Sequence, residues 1–253
     1  MRIPTITGLI RRRLLLNFRV DPQIIEKLLP RPLRPKIHNG HAIAGLCLIR
    51  LEQIRPTGVP ALFGLASENG AHRIAVTWNN TDGRCLNGVY IPRRDTGSMF
   101  TWLAGGRLFP GEHSFGTFQV RDDGRNVQLD YQARDGLEIH VSGSDSSHWP
   151  DDSCFASAAE SSRFFQTGSL GFSRTGDCCR LDGLELVTTD WRVEPFSVGR
   201  VQATWFDDRS KFPAGSAEFD HALVMRNISH EWRSTESMRV EPIGLDQLAS
   251  AVR

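Results

Sequence analysis

Asp-Gly turns between alternating runs of residues predict a series of antiparallel strands. Asp82-Gly83, Asp123-Gly124 and Asp135-Gly136 each separate two runs that are rich in apolar residues. Asp-Gly favours the positive φ angles of tight hairpin turns, whose twist matches that of paired strands. The runs beside the last two turns alternate apolar and polar residues, as half-buried strands do. Residues 113–143 are therefore predicted to form a three-stranded antiparallel meander.

The same pattern, followed along the rest of the chain, predicts many strands and few helices. Further strands are expected at 6–20, 41–55, 74–78, 86–91, 183–194, 198–206 and 217–226. A first helix is expected at 23–29, because Asp21 can cap it and Pro22 suits its first position. Apolar residues at helical spacing predict two more helices, at 95–108 and 154–165.

Many strands with few helices indicate one mainly β domain of the α+β kind, with its antiparallel strands arranged as a barrel. No repeat, long linker or change in composition divides the chain, so this domain is expected to span residues 1–253. Its core is placed at 5–232. A weaker tail follows at 233–253, with a short helix at 245–252.

The charge balance bears on the kind of partner. The chain has 253 residues, 40% of them hydrophobic, which is enough apolar material for a packed core. Its 30 basic and 29 acidic side chains leave a formal net charge of +1. That balance provides no overall field to attract nucleic acid or an anionic membrane surface. Neither nucleic acid nor a membrane is therefore expected as a partner, and a homo-oligomer is left open.

Cysteine usage and the length of the apolar runs favour a cytoplasmic protein. The five cysteines are an odd number and include no C-x-x-C spacing, so a disulfide framework is not expected. Cys178-Cys179 could form a redox or metal pair, but no second thiol pair completes a zinc tetrahedron, and no metal site is predicted. The apolar run after Arg11-Arg12-Arg13 ends at Asn17, too soon for a signal peptide, and no run approaches the length of a membrane span.

The common catalytic motifs are missing from the sequence. It has no G-x-S-x-G nucleophile elbow, since Gly168-Ser169-Leu170-Gly171 has the wrong spacing. It also has neither a P-loop nor a G-x-G-x-x-G run. No nucleotide or other cofactor is therefore predicted.

Several short runs resemble the YqjF-like family, an uncharacterised bacterial family grouped with the acetoacetate decarboxylases. They include Phe18-Arg19-Val20-Asp21-Pro22, Ala44-Gly45-Leu46, Gly88-Val89-Tyr90, Phe219-Asp220-His221 and His230-Glu231-Trp232. The resemblance covers roughly residues 5–235. It implies an antiparallel β-barrel of the acetoacetate decarboxylase type with a ligand cavity inside.

The decarboxylases use a lysine amine that condenses with a β-keto acid, and the family pattern places an arginine and a glutamate beside it. By this resemblance, Arg11 stands at the position of the family arginine, where it would bind a ligand carboxylate. Glu68, in Ser67-Glu68-Asn69-Gly70, resembles the family glutamate.

The lysine itself has no counterpart in this chain. Where the family has Tyr-Pro-Lys-Lys, the sequence reads Phe109-Pro110-Gly111-Glu112-His113, and no lysine lies between Lys36 and Lys211. Without that amine, Schiff-base chemistry at this position is not expected. Glu112 and His113 lie there instead, and they would handle protons rather than bind substrate covalently.

The sequence leaves three functional hypotheses open, and with them the question of whether the protein is an enzyme. In the first, Arg11 binds a small keto acid or other carboxylate, and Glu68 moves a proton together with Glu112 or His113. In the second, the protein is a non-enzymatic binding protein or scaffold that has kept the barrel. In the third, Lys211 serves as a displaced decarboxylase amine, although a solvated loop lysine is the simpler interpretation of that residue.

Overall fold

Thirteen strands in one sheet account for most of the described chain. The structure is a computed structural model, and it describes residues 4–99, 111 and 113–241. The strands are β1 Ile6–Val20, β2 Arg34–Pro35, β3 Ile37–His38, β4 His41–Pro56, β5 Leu65–Asn79, β6 Cys85–Thr96, β7 His113–Asp122, β8 Asn126–Ala133, β9 Glu138–Asp145, β10 Leu170–Arg174, β11 Arg180–Thr188, β12 Glu194–Ala203 and β13 Ala217–Arg239. The described helices are α1 Pro22–Lys27, α2 Ala158–Gln166 and α3 Thr204–Asp207, with a 3-10 turn at Ala61–Phe63.

The strands pair into two closed circuits that share a wall. The shared wall runs β6-β5-β4-β1-β13. The first circuit closes from β13 through β12, β9, β8 and β7 back to β6, and the second closes from β13 through β11 and β10 back to β6. The two circuits therefore diverge at β6 and meet again at β13.

The expectation of a purely antiparallel sheet was wrong, because the sheet is mixed. β6 pairs in parallel with β10 at Val89–Ile91 and with β7 at Arg94–Thr96, whereas the other described strand pairs are antiparallel. Parallel strands need a long crossover, and sixteen residues, 97–112, connect β6 to β7. Hairpin signals reveal only neighbouring antiparallel strands, so they could not indicate these two pairings.

The shared wall is buried on both faces. On β1, Leu14 and Leu16 belong to a large core inside the first circuit, while Leu15 between them belongs to a smaller core inside the second. Alternate side chains of a strand lie on opposite faces, so one wall serves two cores. Phe165 of α2 packs in the smaller core, at the end of the second circuit.

Most of the predicted elements are present. The meander at 113–143 is confirmed as β7, β8 and β9, with β7–β8 and β8–β9 both antiparallel. The strands predicted at 6–20 and 41–55 are β1 and β4, and the helix after Asp21 is α1, whose first turn Asp21 caps through Gln23 N.

Several boundaries differ from the predictions. The strands predicted at 183–194 and 198–206 are β11 Arg180–Thr188 and β12 Glu194–Ala203, and α3 begins at Thr204. Residues 95–96 close strand β6 instead of opening a helix, and 100–108 lie outside the described residues. The third helix starts at Ala158 rather than 154, because the Ser157 side chain caps it. Strand β13 continues to Arg239, so the predicted tail begins inside a strand paired with β11, and the short helix at 245–252 lies outside the described residues. None of the described helices is long and apolar enough to span a membrane.

Candidate functional site

A cavity of about 130 Å³ lies inside the second circuit. Its walls come from the shared strands β1, β4, β5 and β6, from β10 and β11, and from the end of α2. The apolar part of the lining includes Leu15, Ile49, Ile91, Leu184, Leu186 and Trp191. A ligand in this space would therefore meet a mainly hydrophobic surface.

Three arginines interrupt this apolar lining: Arg13 of β1, Arg73 of β5 and Arg94 of β6. Strand alternation places Arg13 on the same face as Leu15, and Arg73 on the same face as Ala71. An irregularity in the β5–β6 register, between His72 and Ile74, inserts an extra residue in β6 and brings Arg94 to the cavity side.

None of the three guanidinium groups forms an ion pair with a carboxylate in the described part of the chain. Arg13 donates from Nε to Cys47 Sγ at 3.2 Å and from Nη1 to Met225 Sδ at 3.8 Å, and sulfur is a weak acceptor. Arg94 donates from Nε to Ser173 Oγ at 3.0 Å, and Arg73 donates from Nη2 to Asn17 Oδ1. Asp95 also lines the cavity, but its carboxylate pairs with Arg93 at 2.8 Å, so in the described part of the chain it is not a partner of these three guanidinium groups.

Arg73 is the most deeply buried of the three. The residue is only 5% exposed, and its Nε has no hydrogen-bond partner in the described part of the chain. Its guanidinium carbon lies 4.5 Å from the centroid of the Phe165 ring. Burial lowers the pKa of Arg73, and likewise that of Arg94, to about 10. Both remain charged at neutral pH. A buried charge without a counter-ion is costly, so this position favours an anion.

A buried hydrogen-bond chain holds Arg73 in place. His221 Nδ1 donates a hydrogen bond to Asp220 Oδ2 at 2.5 Å, which leaves the His221 Nε2 as an acceptor. Two donors contact this Nε2, Asn17 Nδ2 at 2.9 Å and Ser161 Oγ at 2.7 Å. Asn17 in turn accepts from Arg73. Ser161, His221 and Asp220 have the residue types of a hydrolytic triad, but Ser161 is buried and does not line the cavity, so the group positions Arg73.

His113 lines the same cavity, as the first residue of β7. Its Nδ1 lies 3.1 Å from the carbonyl oxygen of Gly111. Burial, followed by the charge of Arg94, lowers the His113 pKa to about 4, so the imidazole is neutral at pH 7. With the Nδ1 proton donated to Gly111, its Nε2 keeps a lone pair that can accept a proton or a hydrogen bond.

Arg11 and Glu68 lie in a different place, an open groove at one end of the first circuit. Arg11 is exposed and donates to Asn227 Oδ1 at 2.9 Å. Glu68 accepts from Arg12 Nη2 at 2.7 Å, and Arg12, which is 1% exposed, also pairs with Asp122 at 3.1 Å. Burial raises the pKa of Glu68, and the charge of Arg12 opposes that rise.

The structure thus brings Arg11 and Glu68 together but separates them from His113. Glu112 lies outside the described residues. The roles predicted for these four residues stay predictions.

The three lysines lie away from the cavity lining. Lys211 is not the solvated loop lysine that the sequence suggested, because its side chain is only 7% exposed and its Nζ pairs with Asp208 Oδ2 at 2.9 Å. Lys36 donates from Nζ to the Phe164 carbonyl at 2.9 Å, and Lys27 is exposed on α1. None of them is among the residues that line the cavity.

The arginines of the cavity were not predicted from the sequence. A signal was present for Arg73, which directly precedes the apolar run Ile74-Ala75-Val76, but not for Arg94, which lies between Arg93 and Asp95. A charged residue in such a run needs a reason to be buried. The face of the sheet on which an arginine side chain lies depends on the strand register. The register irregularity between β5 and β6 cannot be seen in the sequence.

With this fold and this cavity, the chain is a mainly β protein of the acetoacetate decarboxylase-like fold. A family model matches residues 9–226, and the chain belongs to that family, DUF2071, which is described as an uncharacterized conserved protein. The resemblance to an uncharacterised family grouped with the acetoacetate decarboxylases is confirmed. No curated protein matches the sequence.

Solved structures support the fold assignment. An acetoacetate decarboxylase-like enzyme from Sphingomonas wittichii RW1 is 14% identical and aligns with a TM-score of 0.58 over 94% of this chain and 93% of its own. Acetoacetate decarboxylase from Legionella pneumophila is 9% identical, with a TM-score of 0.59 over 93% of this chain and 88% of its own. The enduracididine biosynthesis enzyme MppR, complexed with pyruvate, is 13% identical, with a TM-score of 0.54 over 95% of this chain and 91% of its own. At these identities the likeness concerns the fold alone.

Proposed function

We propose that this protein binds a small organic carboxylate in the cavity of the second circuit. The observation that carries the proposal is the set of three guanidinium groups, Arg13, Arg73 and Arg94, that face one cavity without a carboxylate partner in the described part of the chain. Arginine binds carboxylates by two parallel hydrogen bonds, and it does so most strongly where water is excluded.

The size and lining of the cavity limit the ligand further. Its volume of about 130 Å³ is close to that of a cavity of about 150 Å³ known to accept benzene. The ligand is therefore an anion no larger than about a six-carbon ring, and its non-polar part packs on residues such as Leu15, Leu186 and Trp191. The pyruvate complex of MppR, a protein of similar fold, supports a small carboxylate as the ligand class.

Binding in this cavity does not require a lysine. The sequence has no lysine between Lys36 and Lys211, and no lysine lines the cavity. His113, neutral at pH 7 and in the cavity wall, is the group best suited to exchange a proton with a bound ligand. The cavity also argues against the scaffold hypothesis, since a protein that had only kept the fold would have no need to bury unpaired guanidinium groups.

Propionate is expected to stabilise the protein against heat, and propionamide is not. The two compounds have nearly the same shape, but only propionate offers a negative charge to the guanidinium groups. At about 100 times its dissociation constant, a bound ligand adds about 2.7 kcal/mol, which raises the melting temperature of a protein of this size by roughly 5–10 °C. Differential scanning fluorimetry measures this shift. Equal responses to the acid and the amide, or a flat response to every small carboxylate tested, would contradict the proposal.

Borohydride reduction in the presence of pyruvate is expected to leave the mass of the protein unchanged. A Schiff base needs an amine at the ligand, and the three lysines lie away from the cavity lining. Intact mass spectrometry after reduction gives the result directly. An adduct mapped to Lys211 would establish the displaced-amine hypothesis instead.

A further inference from the structure

Cys47 lies in the wall of the same cavity. It stands on β4 with its side chain on the cavity side, together with Ile49 and Leu51, and it is 8% exposed. Arg13 donates a hydrogen bond from Nε to its sulfur at 3.2 Å. The thiol is therefore in direct contact with one of the three guanidinium groups.

The other two guanidinium groups belong to the same cavity as this sulfur. Arg73 and Arg94 both line it, and the electrostatic interaction of each guanidinium group with Cys47 opposes the larger lowering of its pKa by burial. Cys47 is thus placed among Arg13, Arg73 and Arg94. Thiols beside guanidinium groups form the surroundings in which protein cysteines become reactive.

A second feature of the cavity points independently to a ligand beside this thiol. Arg73 is buried, it lines the cavity, and its Nε has no hydrogen-bond partner in the described part of the chain. A buried donor of this kind costs free energy until an acceptor reaches it. An anion held there would lie in the same small cavity as the Cys47 sulfur.

We propose that Cys47 is a nucleophile that attacks an electrophilic carbon of a small carboxylate held by Arg13, Arg73 and Arg94. The ligand class rests on the proposed function. With a 2-oxo carboxylate, the sulfur forms a bond to the carbonyl carbon, and the π pair of the C=O bond moves onto the oxygen. That oxygen takes the thiol proton, and the product is a thiohemiketal. Nothing leaves, and no oxidant or other reactant is needed.

The other cysteines of the chain provide internal controls. Cys85, Cys178 and Cys179 are exposed. Cys154 is half-buried beside Asp220, and burial together with that carboxylate raises its pKa to about 12. None of these four lines the cavity. A reagent that uses the cavity will therefore distinguish Cys47 from them within one sample.

The test compares alkylation by iodoacetate and by iodoacetamide, two reagents of similar size of which only the first is an anion. With either reagent a sulfur–carbon bond forms, the carbon–iodine bond breaks with its electron pair, and iodide and the thiol proton leave. Rates are followed for each cysteine by mass spectrometry of peptides from the native protein. A cleft of one charge sign raises the local concentration of counter-ions by a factor of 10 or more, so the iodoacetate-to-iodoacetamide ratio at Cys47 should exceed that at the exposed cysteines by about tenfold or more.

Two further measurements tie the preference to the arginines. Propionate should protect Cys47 of the wild-type protein from iodoacetate and leave Cys178 unprotected. The substitution Arg13→Met should lower the ratio at Cys47 toward that of the exposed cysteines. Arg50→Met is the matched control, because Arg50 lies in the open groove and not in the cavity, and it should keep the wild-type ratio. If Arg13→Met disrupts folding, the protection experiment decides by itself.

The proposal fails if Cys47 resists both reagents in the native protein, or if its ratio equals that of Cys85, Cys178 and Cys179. This outcome is separable from a failure of the proposed function, because propionate is unreactive and its binding is measured by heat stability alone. If propionate stabilises the protein but the iodoacetate-to-iodoacetamide ratio at Cys47 equals that of the exposed cysteines, the carboxylate site is supported and the assignment of Cys47 as a nucleophile is wrong. If propionate has no effect and Cys47 still prefers iodoacetate, the thiol is reactive and the stable carboxylate complex is wrong.

Discussion

The substitution Arg73→Met is expected to weaken carboxylate binding strongly while changing the stability of the unliganded protein little. These two effects have one cause. Arg73 is buried without a counter-ion in the described structure, so its charge is a cost until an anion neutralises it. Hydrogen bonds to a charged group contribute about 1.5–3 kcal/mol, so their loss should weaken carboxylate affinity by roughly 10–150-fold.

Calorimetric titration with propionate and urea unfolding without ligand measure the two effects separately. Arg50→Met serves as the control, since Arg50 faces the open groove, where it lies 3.5 Å from Glu52. Arg11→Met tests the alternative given by the sequence. If Arg11→Met removes binding and Arg73→Met does not, the ligand lies in the groove. If Arg73→Met markedly destabilises the unliganded protein, Arg73 has a structural role and the anion site is wrong.

The substitution Asp220→Asn is expected to destabilise the protein by about 3–5 kcal/mol, the usual cost of breaking a buried charged network on one side. The Asp220 carboxylate has no solvent exposure. It accepts hydrogen bonds from His221 at 2.5 Å, from Ser153 at 2.7 Å and from Cys154 N at 2.8 Å. Asparagine has the same shape, but its amide group would place a donor against these donors. Urea unfolding of both proteins gives the difference.

The pH dependence of stability provides a second readout for the same residue. Its hydrogen bonds to His221, Cys154 and Ser153 hold the Asp220 pKa well below its usual range, against the effect of burial. A carboxyl group with a lowered folded-state pKa stabilises the protein above its unfolded-state pKa of about 3.9, and this contribution is lost as the pH falls below that value. The wild type should therefore lose this stability in acid, whereas the Asp220→Asn protein should lack that part of the pH dependence.

Glu218→Gln is the matched control for Asp220→Asn, because both carboxylates pair with Arg19. Glu218 lies 2.9 Å from Arg19, but its side chain is largely exposed, and exposed pairs contribute about 1 kcal/mol or less. A loss of stability in Glu218→Gln as large as in Asp220→Asn would show that the Arg19 pair, and not the buried network, carries the effect.

The sequence was sufficient to predict those parts of the fold that depend on local signals. The meander at 113–143 was found because Asp-Gly turns and alternating side chains specify hairpins directly. The parallel pairings of β6 were missed because they join residues far apart in the chain, and no turn residue marks them. Leu14-Leu15-Leu16 likewise gives no sign that two of its side chains face one core and the third another.

The candidate site was predictable only in part, for a related reason. His113 was selected because it lies where the decarboxylase family has its lysines, and in the structure it lines the cavity. Arg11 was selected from three consecutive arginines, and only the fold shows that Arg11 is exposed, Arg12 is buried in an ion pair and Arg13 lines the cavity. Neighbours on a strand face opposite ways, so an error of one residue exchanges a solvent position for an interior one.

The wall common to both circuits separates the residues that pack the larger core from those that line the cavity. One compartment is filled and has only to hold the architecture together. The other contains a smaller core and the cavity, and the side chains that line the cavity from the shared wall face away from the larger core. Chains only 9–14% identical to this one share its architecture. A fold divided in this way can exchange its reactive groups many times over and still remain the same fold.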